Sequence, residues 1–164
     1  MISFKEATKN DIELIRELAK ISWNSAYVGI ISQEQIDYML STMYSVEEIS
    51  SQMENPSYHY HLIFNEEIPA GFIGFEHHYE EKTTKLHRVY LLPEMKGKGL
   101  GKAAIELLKE KVSATTDNRI ILNVNKANHA KNVYQSQGFT VYDELVLDIG
   151  DGFVMDDYVM GFRL

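Results

Sequence analysis

Residues Val89 to Lys102, VYLLPEMKGKGLGK, decide how this chain is read. An apolar, strand-like run stops at Pro93, and glycines at 97, 99 and 101 then alternate with Lys98 and Leu100. A regular amphipathic pattern, LGKAAIELLKEKV, follows at once and predicts a helix from Gly99 to about Ser113, with Leu100, Ala104, Leu107, Leu108 and Val112 on one face. Glycine lets the backbone curl with its N–H groups pointing inward, because no Cβ obstructs the approach. The first turn of the helix adds free amides and the positive end of its dipole. The stretch therefore reads as an anion cradle suited to phosphate.

Three familiar phosphate loops do not fit. A Walker loop needs glycine five residues before its Gly-Lys-Ser/Thr; here Lys96 stands in that place and Ala103 replaces the hydroxyl residue. The dinucleotide fingerprint needs two residues between its second and third glycines, and only Leu100 separates Gly99 from Gly101. The lysine strand, HRD and DFG of protein kinases are absent.

Outward from this loop, the chain predicts one domain over residues 1–164, long enough to bury a substantial core. With 45% apolar residues it is not a disordered sequence. It contains no cysteine, so disulfides and cysteine catalysis are excluded. No apolar run is long enough to span a membrane, and the start, MISFKEATKNDIELI, is too charged for an export signal, so the expected location is cytoplasmic. Sixteen basic against twenty-four acidic residues give a net charge of −8, which argues against nucleic acid as a partner and favours cationic ligands.

Ile2-Ser-Phe4 predicts a first strand, and Ile12, Ile15, Leu18, Ala19 and Ser22 recur at helical spacing behind the capping candidates Asn10 and Asp11. Further helices are expected over Gln33 to Thr42 and from the cap Ser45 to Asn55-Pro56. Strands are expected over Tyr58 to Phe64, Ala70 to Tyr79, Lys85 to Leu92 and Ile120 to Val124. A helix over Ala127 to Ser136 and a hairpin, Val141 to Ile149 and Phe153 to Phe162 around Gly150-Asp-Gly152, complete the chain. That order predicts an α/β (α+β) protein with a single mixed sheet of about seven strands flanked by helices.

Lys96-Gly97-Lys98-Gly99-Leu100-Gly101 resembles the acetyl-CoA loop of the GCN5-related N-acetyltransferases (GNAT), Arg/Gln-x-x-Gly-x-Gly/Ala, with lysine in the first place. Asn128, Ala130, Tyr134 and Gly138-Phe139 resemble that family's later motif, with the asparagine one residue closer to the tyrosine than usual. Both lie in the family's order and at its separation. The resemblance covers essentially the whole chain and implies a mostly antiparallel sheet, acetyl-CoA as co-substrate and transfer of acetyl to an amine. It further implies that the strand before the loop splays from its neighbour, that the main chain at Leu91 and Leu92 pairs with the pantetheine arm and offers an oxyanion donor, and that Lys96, Gly97, Lys98, Gly99, Leu100, Gly101, Lys102, Asn128 and Lys131 serve the cofactor.

Tyr134 stands where family members carry the general acid and is also expected to touch the cofactor. A phenol of pKa about 10 protonates a thiolate of pKa roughly 8.5 only with help from the site. His87, on the strand leading into Pro93, is the leading base candidate; Glu76, His77 and His78 compete with it, as does a water chain. His77-His78 has no third ligand at a recognisable spacing, so no metal is expected. The segment ISWNSAYVGIISQEQIDYMLSTMYSVEEI and the ending DIGDGFVMDDYVM resemble the bacterial PaiA-type branch, whose relatives acetylate polyamines. By that likeness Trp23, Tyr27, Tyr38 and Tyr44 wall an acceptor cleft, and Glu34, Asp37, Asp156 or Asp157 attract a cation. Two functions stay open: an N-acetyltransferase acting on a small amine or a protein or peptide amine, and an idle acetyl-CoA-binding module. A retained Tyr134 favours the first. Monomer and homodimer are both compatible with the sequence.

Overall fold

The computed structural model describes residues 1–164. Strand β1 (Ile2–Glu6) leads into helices α1 (Ile12–Ala26), α2 (Gln33–Met43) and α3 (Val46–Glu54). Strands β2 (Tyr58–Asn65), β3 (Ile68–Glu80) and β4 (Thr83–Leu91) follow, then α4 (Leu100–Ser113), β5 (Arg119–Asn125), α5 (Ala130–Ser136), β6 (Thr140–Gly150) and β7 (Phe153–Arg163). The seven strands form one sheet in the order β1-β2-β3-β4-β5-β7-β6. Every neighbouring pair is antiparallel except β4 and β5.

Serine caps start two of the five helices, one of them at the predicted Ser45. Ser32 Oγ accepts the amide of Gln35 and Ser45 Oγ that of Glu48, both at 3.1 Å, which satisfies one orphan donor of each first turn. Asp11 precedes α1 but does not cap it; its carboxylate turns back to accept the amide of Thr8 at 2.9 Å. The last helix is shorter than expected. It begins at Ala130, because Asn125 and Asn128 side chains take the amides of Ala127 and Ala130 and hold the intervening residues in turns.

Two cores share the sheet. Leu100, Ala104, Ile105, Leu108 and Val112 of α4 pack on one face against residues such as Ile73, Phe75 and Leu122. Ile105 takes the buried place expected of Leu107, which is only half-buried. The opposite face packs Ile15, Leu18, Trp23, Ile36 and Ile49 against Tyr60, Leu62 and Phe72.

Two irregularities in β4 open the sheet. Pairing with β5 runs only from Thr83–Arg119 to Leu86–Leu122, after which the strands diverge. This is the splay that the family resemblance implies. A bulge against β3 occurs at the same place: Leu86 pairs with Phe75 and Arg88 with Gly74, leaving His87 as the extra residue. The extra residue reverses the alternation. Leu86 belongs to the α4 core, whereas Arg88 points to the other face, buried against Tyr44 and Tyr60. Beyond the bulge Val89 and Leu91 pack toward α4, and Tyr90 and Leu92 toward α1.

The fold buries His61 without a partner for Nδ1, its ring stacked on Phe75. Burial lowers its pKa to about 4, with the Glu6 carboxylate opposing and Lys111 and His59 adding to the fall. The folded value lies below the unfolded value of about 6.5, so stability is complete above pH 6.5 and is lost as pH falls toward 4, where the unfolded chain binds a proton that the folded one refuses. At pH 5 the loss from this residue amounts to about 2 kcal/mol. Urea unfolding at pH 7.5 and 5.0 measures it, and His61→Phe removes this residue's share of the difference.

Candidate functional site

The predicted cradle forms between the end of β4 and the start of α4. Gly97 and Gly99 adopt left-handed backbone, φ +78° and +79°, and no atom lies within 4 Å of where a Cβ would stand on either. Gly101 is already helical. The first main-chain bond of α4 runs from the Ala103 amide to the Gly99 carbonyl at 3.1 Å, and the amides from Gly97 to Lys102 have no partner in the protein. Such a run of free donors at the positive end of a fourteen-residue helix suits a diphosphate.

The cradle forms one end of a cleft of about 520 Å³, within the range of small-molecule sites. Of the residues expected to serve the cofactor, Leu91, Lys96, Gly97, Gly99, Leu100, Gly101, Lys102, Asn128 and Tyr134 line it. Leu92, Lys98 and Lys131 do not. The bulge in β4 turns Leu92 toward α1, and Lys131 Nζ lies 4.4 Å from the centroid of the Tyr158 ring. Ser22, Ser25 and Ala26 of α1 and Val133 of α5 complete walls that the motifs do not mark. The amide cradle, two lysines and a largely apolar trough fit the diphosphate and pantetheine parts of coenzyme A.

A much smaller polar recess occupies the splay between β4 and β5 and shares Tyr134, Tyr90 and Asn128 with the cleft. Tyr134 lies at the junction. Burial, with Tyr27 adding to it, pushes its phenol well above the ordinary tyrosine range, so it stays protonated at any physiological pH. No protein group hydrogen-bonds its hydroxyl. Tyr27, the residue that ends α1, borders the recess: its hydroxyl lies 3.2 Å from the Tyr90 hydroxyl and accepts from Asn128 Nδ2 at 3.2 Å. Asn128, one residue out of the family's register, thus both starts α5 and ties that helix to α1. Tyr90 and Asn123, which also line the recess, were visible in the sequence only as strand residues.

Of the base candidates on the β3–β4 hairpin, His87 lines the recess together with Tyr134, whereas Glu76, His77 and His78 do not, and each of the four has a partner. His87 Nε2 is 3.0 Å from Glu76 Oε1, and its ring stacks on Tyr58 at 5.0 Å. Burial lowers its pKa to about 4, against the pull of Glu76. His78 Nδ1 is 2.8 Å from Asp117 Oδ1, and His77 Nδ1 is 2.9 Å from Thr84 Oγ1. No group of three or more metal-ligating side chains is assembled.

Of the aromatic residues expected to wall an acceptor cleft, Trp23 and Tyr44 are core: Trp23 Nε1 donates to the Tyr44 hydroxyl at 3.0 Å, and both are almost fully buried. Tyr38 fastens α2 to the β6–β7 hairpin by donating to the Ile149 carbonyl at 2.8 Å. Glu34 and Asp37 are exposed, and Asp156 pairs with Lys126 at 3.1 Å. Asp157 alone among these carboxylates is buried, and its Oδ1 has no hydrogen-bond partner.

Known proteins agree with this geometry. A spermidine N(1)-acetyltransferase of Thermoplasma acidophilum is 28% identical over 162 residues, covering 94% of this chain and 96% of that protein. The crystal structure of PaiA N-acetyltransferase from the same organism, in complex with coenzyme A, superimposes with a TM-score of 0.86 at 25% identity, over 100% of this chain and 99% of that one. A GCN5-related N-acetyltransferase from Rhodopseudomonas palustris shares the fold at 14% identity, with a TM-score of 0.83 over 99% and 95% of the two chains. Residues 27–155 match the acetyltransferase (GNAT) domain family, and with the splayed sheet and the amide cradle already described, the chain belongs to that family.

Proposed function

We propose that this protein moves the acetyl group of acetyl-CoA directly to a primary amine of a polyamine, with Tyr134 as the general acid. The observation that carries this reading is the place of Tyr134, which borders both the cofactor cleft and the polar recess of the splay and whose hydroxyl has no protein partner. In this reading the diphosphate rests on the amides of Gly97 to Lys102 with Lys96 and Lys102 beside it, and the pantetheine arm runs along the main chain at Leu91. The thioester then reaches the splay. The amine attacks the carbonyl carbon, the C–S bond breaks as the tetrahedral adduct collapses, and Tyr134 gives its proton to the departing sulfur. A phenol relieved of one proton recovers another from the adduct's N–H, so it acts as a relay. A main-chain N–H of β4 facing the splay supplies the oxyanion donor.

A polyamine is supported by the net charge of −8, by the buried Asp157 and by the name of the 28% identical relative. Release of free CoA thiol from acetyl-CoA, measured with polyamines, amino acids, aminoglycosides and peptide N-termini, tests both halves. The expected result is a kcat/KM for spermidine or spermine that exceeds the other amines by about 100-fold. Equal rates with peptides would overturn the acceptor, and acetyl-CoA binding with no thiol release from any amine would make the protein a cofactor-binding module.

A further inference from the structure

The β6–β7 side of the sheet carries a second reacting group. We propose that Asp157 receives the acceptor's ammonium group and takes its proton before attack, a role that rests on the transferase reading above. The face on which Asp157 lies follows from its neighbours. Met155, two residues earlier on β7, packs in the core under α1–α3 and meets Gln35 of α2, whereas Tyr158 and Met160 pack toward α4. Asp157 therefore faces away from α4 and toward α1 and α2. Its partner on β5 is Asn125, one alternation along from Asn123, which lines the recess in the splay. Asp157 and Asn123 are thus diagonal neighbours on one face of the sheet, about 7–8 Å apart.

A buried carboxylate oxygen with no hydrogen bond is costly, and native proteins rarely keep one without a use. Asp157 is 5% exposed and Oδ1 has no partner. The charged and titratable groups around it do not satisfy it. Tyr27, just after α1, and Lys85 of β4 lie close enough to act on its charge, as does Asp156 from the opposite face of β7, while Asp143 is the nearest carboxylate on the same face of β6. Asp156 is already held by Lys126, and α2 presents the uncharged Gln35. A primary ammonium group entering past Tyr27 would supply the missing donor and the missing charge together. Burial and Asp156 raise the Asp157 pKa to about 6 against the pull of Lys85, which leaves it ionised at pH 7 but far more basic than an ordinary aspartate.

The protons balance. The carboxylate takes one proton from R–NH3⁺, leaving R–NH2 to form the C–N bond. The C–S bond breaks, the thiolate leaves with the Tyr134 proton, and the adduct's N–H proton restores the phenol. Asp157 then returns its proton to solvent. No oxidant, metal or further reactant is needed.

The test is Asp157→Asn, an isosteric change that removes an unpaired buried charge. Its melting temperature should equal or exceed that of the wild type by about 2–4 °C, and its Kd for acetyl-CoA should be unchanged. With spermidine at pH 7.5, kcat/KM should fall on the order of 100-fold. The wild-type profile of kcat/KM should drop tenfold per pH unit below about pH 6, and the variant should lose that limb. A variant with wild-type kcat/KM and an intact limb overturns the proposal. So does a raised KM with kcat and limb unchanged, because Asp157 would then only attract the cation. A wild type that acetylates no amine removes the transferase reading and the base with it, whereas an active wild type matched by the variant removes the base alone.

Discussion

Replacing Tyr134 by phenylalanine should lower kcat on the order of 100-fold and leave the acetyl-CoA Kd and the melting temperature near those of the wild type. The ring is buried and packs 6.0 Å from Phe139, so its loss would open a cavity, whereas the hydroxyl is free of protein partners and its loss costs the fold little. Burial holds the phenol well above its usual pKa, so a simple ground-state acid would be weak here. The relay avoids that difficulty, since the tyrosine gives a proton to sulfur while gaining one from a nitrogen that has become acidic through bond formation. A relay also predicts that the rate loss persists from pH 6 to pH 9, because the phenol does not titrate in that window. Steady-state kinetics on the variant across that range measure this, and an undiminished kcat at every pH would remove Tyr134 from the chemistry.

The largest structural effect should come from Gly71→Ala. A Cβ on Gly71 would stand 2.1 Å from the carbonyl oxygen of Tyr90 and 3.0 Å from Leu91 Cα, both main-chain atoms with no rotamer to yield. The register places Gly71 opposite Leu91, so β3 and β4 would have to separate at the wall of the cofactor cleft. The expected cost is roughly 3–5 kcal/mol, or a fall of about 10 °C or more in melting temperature, together with weakened coenzyme A binding. Gly97→Ala is the matching control. Its backbone is left-handed but the surrounding space is open, so it should lose only about 1 kcal/mol. Thermal denaturation of both variants compares the two costs directly, and equal losses would contradict the close approach at Gly71.

Much of the fold was legible because it is written in short-range periodicities. The 3.6-residue spacing of Ile12, Ile15, Leu18 and Ala19 leads to the buried face of α1, and the serines at 32 and 45 cap helices through bonds that span three residues. The 97–102 loop was legible for the same reason, since left-handed glycines and free helix amides are local properties. Local rules failed where a partner strand or a side-chain bond intervened. Alternation along β4 would place Leu86, Arg88 and Tyr90 on one face, but the bulge at His87 sends Arg88 and Tyr90 to the other. Asparagine-held turns shortened α5, although the pattern from Ala127 reads as continuous helix.

What the sequence by itself determined is the order of elements, the anion cradle and the tyrosine that follows it, because each depends on residues a few positions apart. Only the tertiary structure decided which aromatic residues are core and which border the site, since Trp23 and Tyr44 differ from Tyr27 by their neighbours and not by their spacing. It also decided that Asp157, and not the adjacent Asp156, is the carboxylate left buried and unpaired. Two consecutive residues on a strand face opposite sides of the sheet, and what covers each side is set by chain more than a hundred residues away.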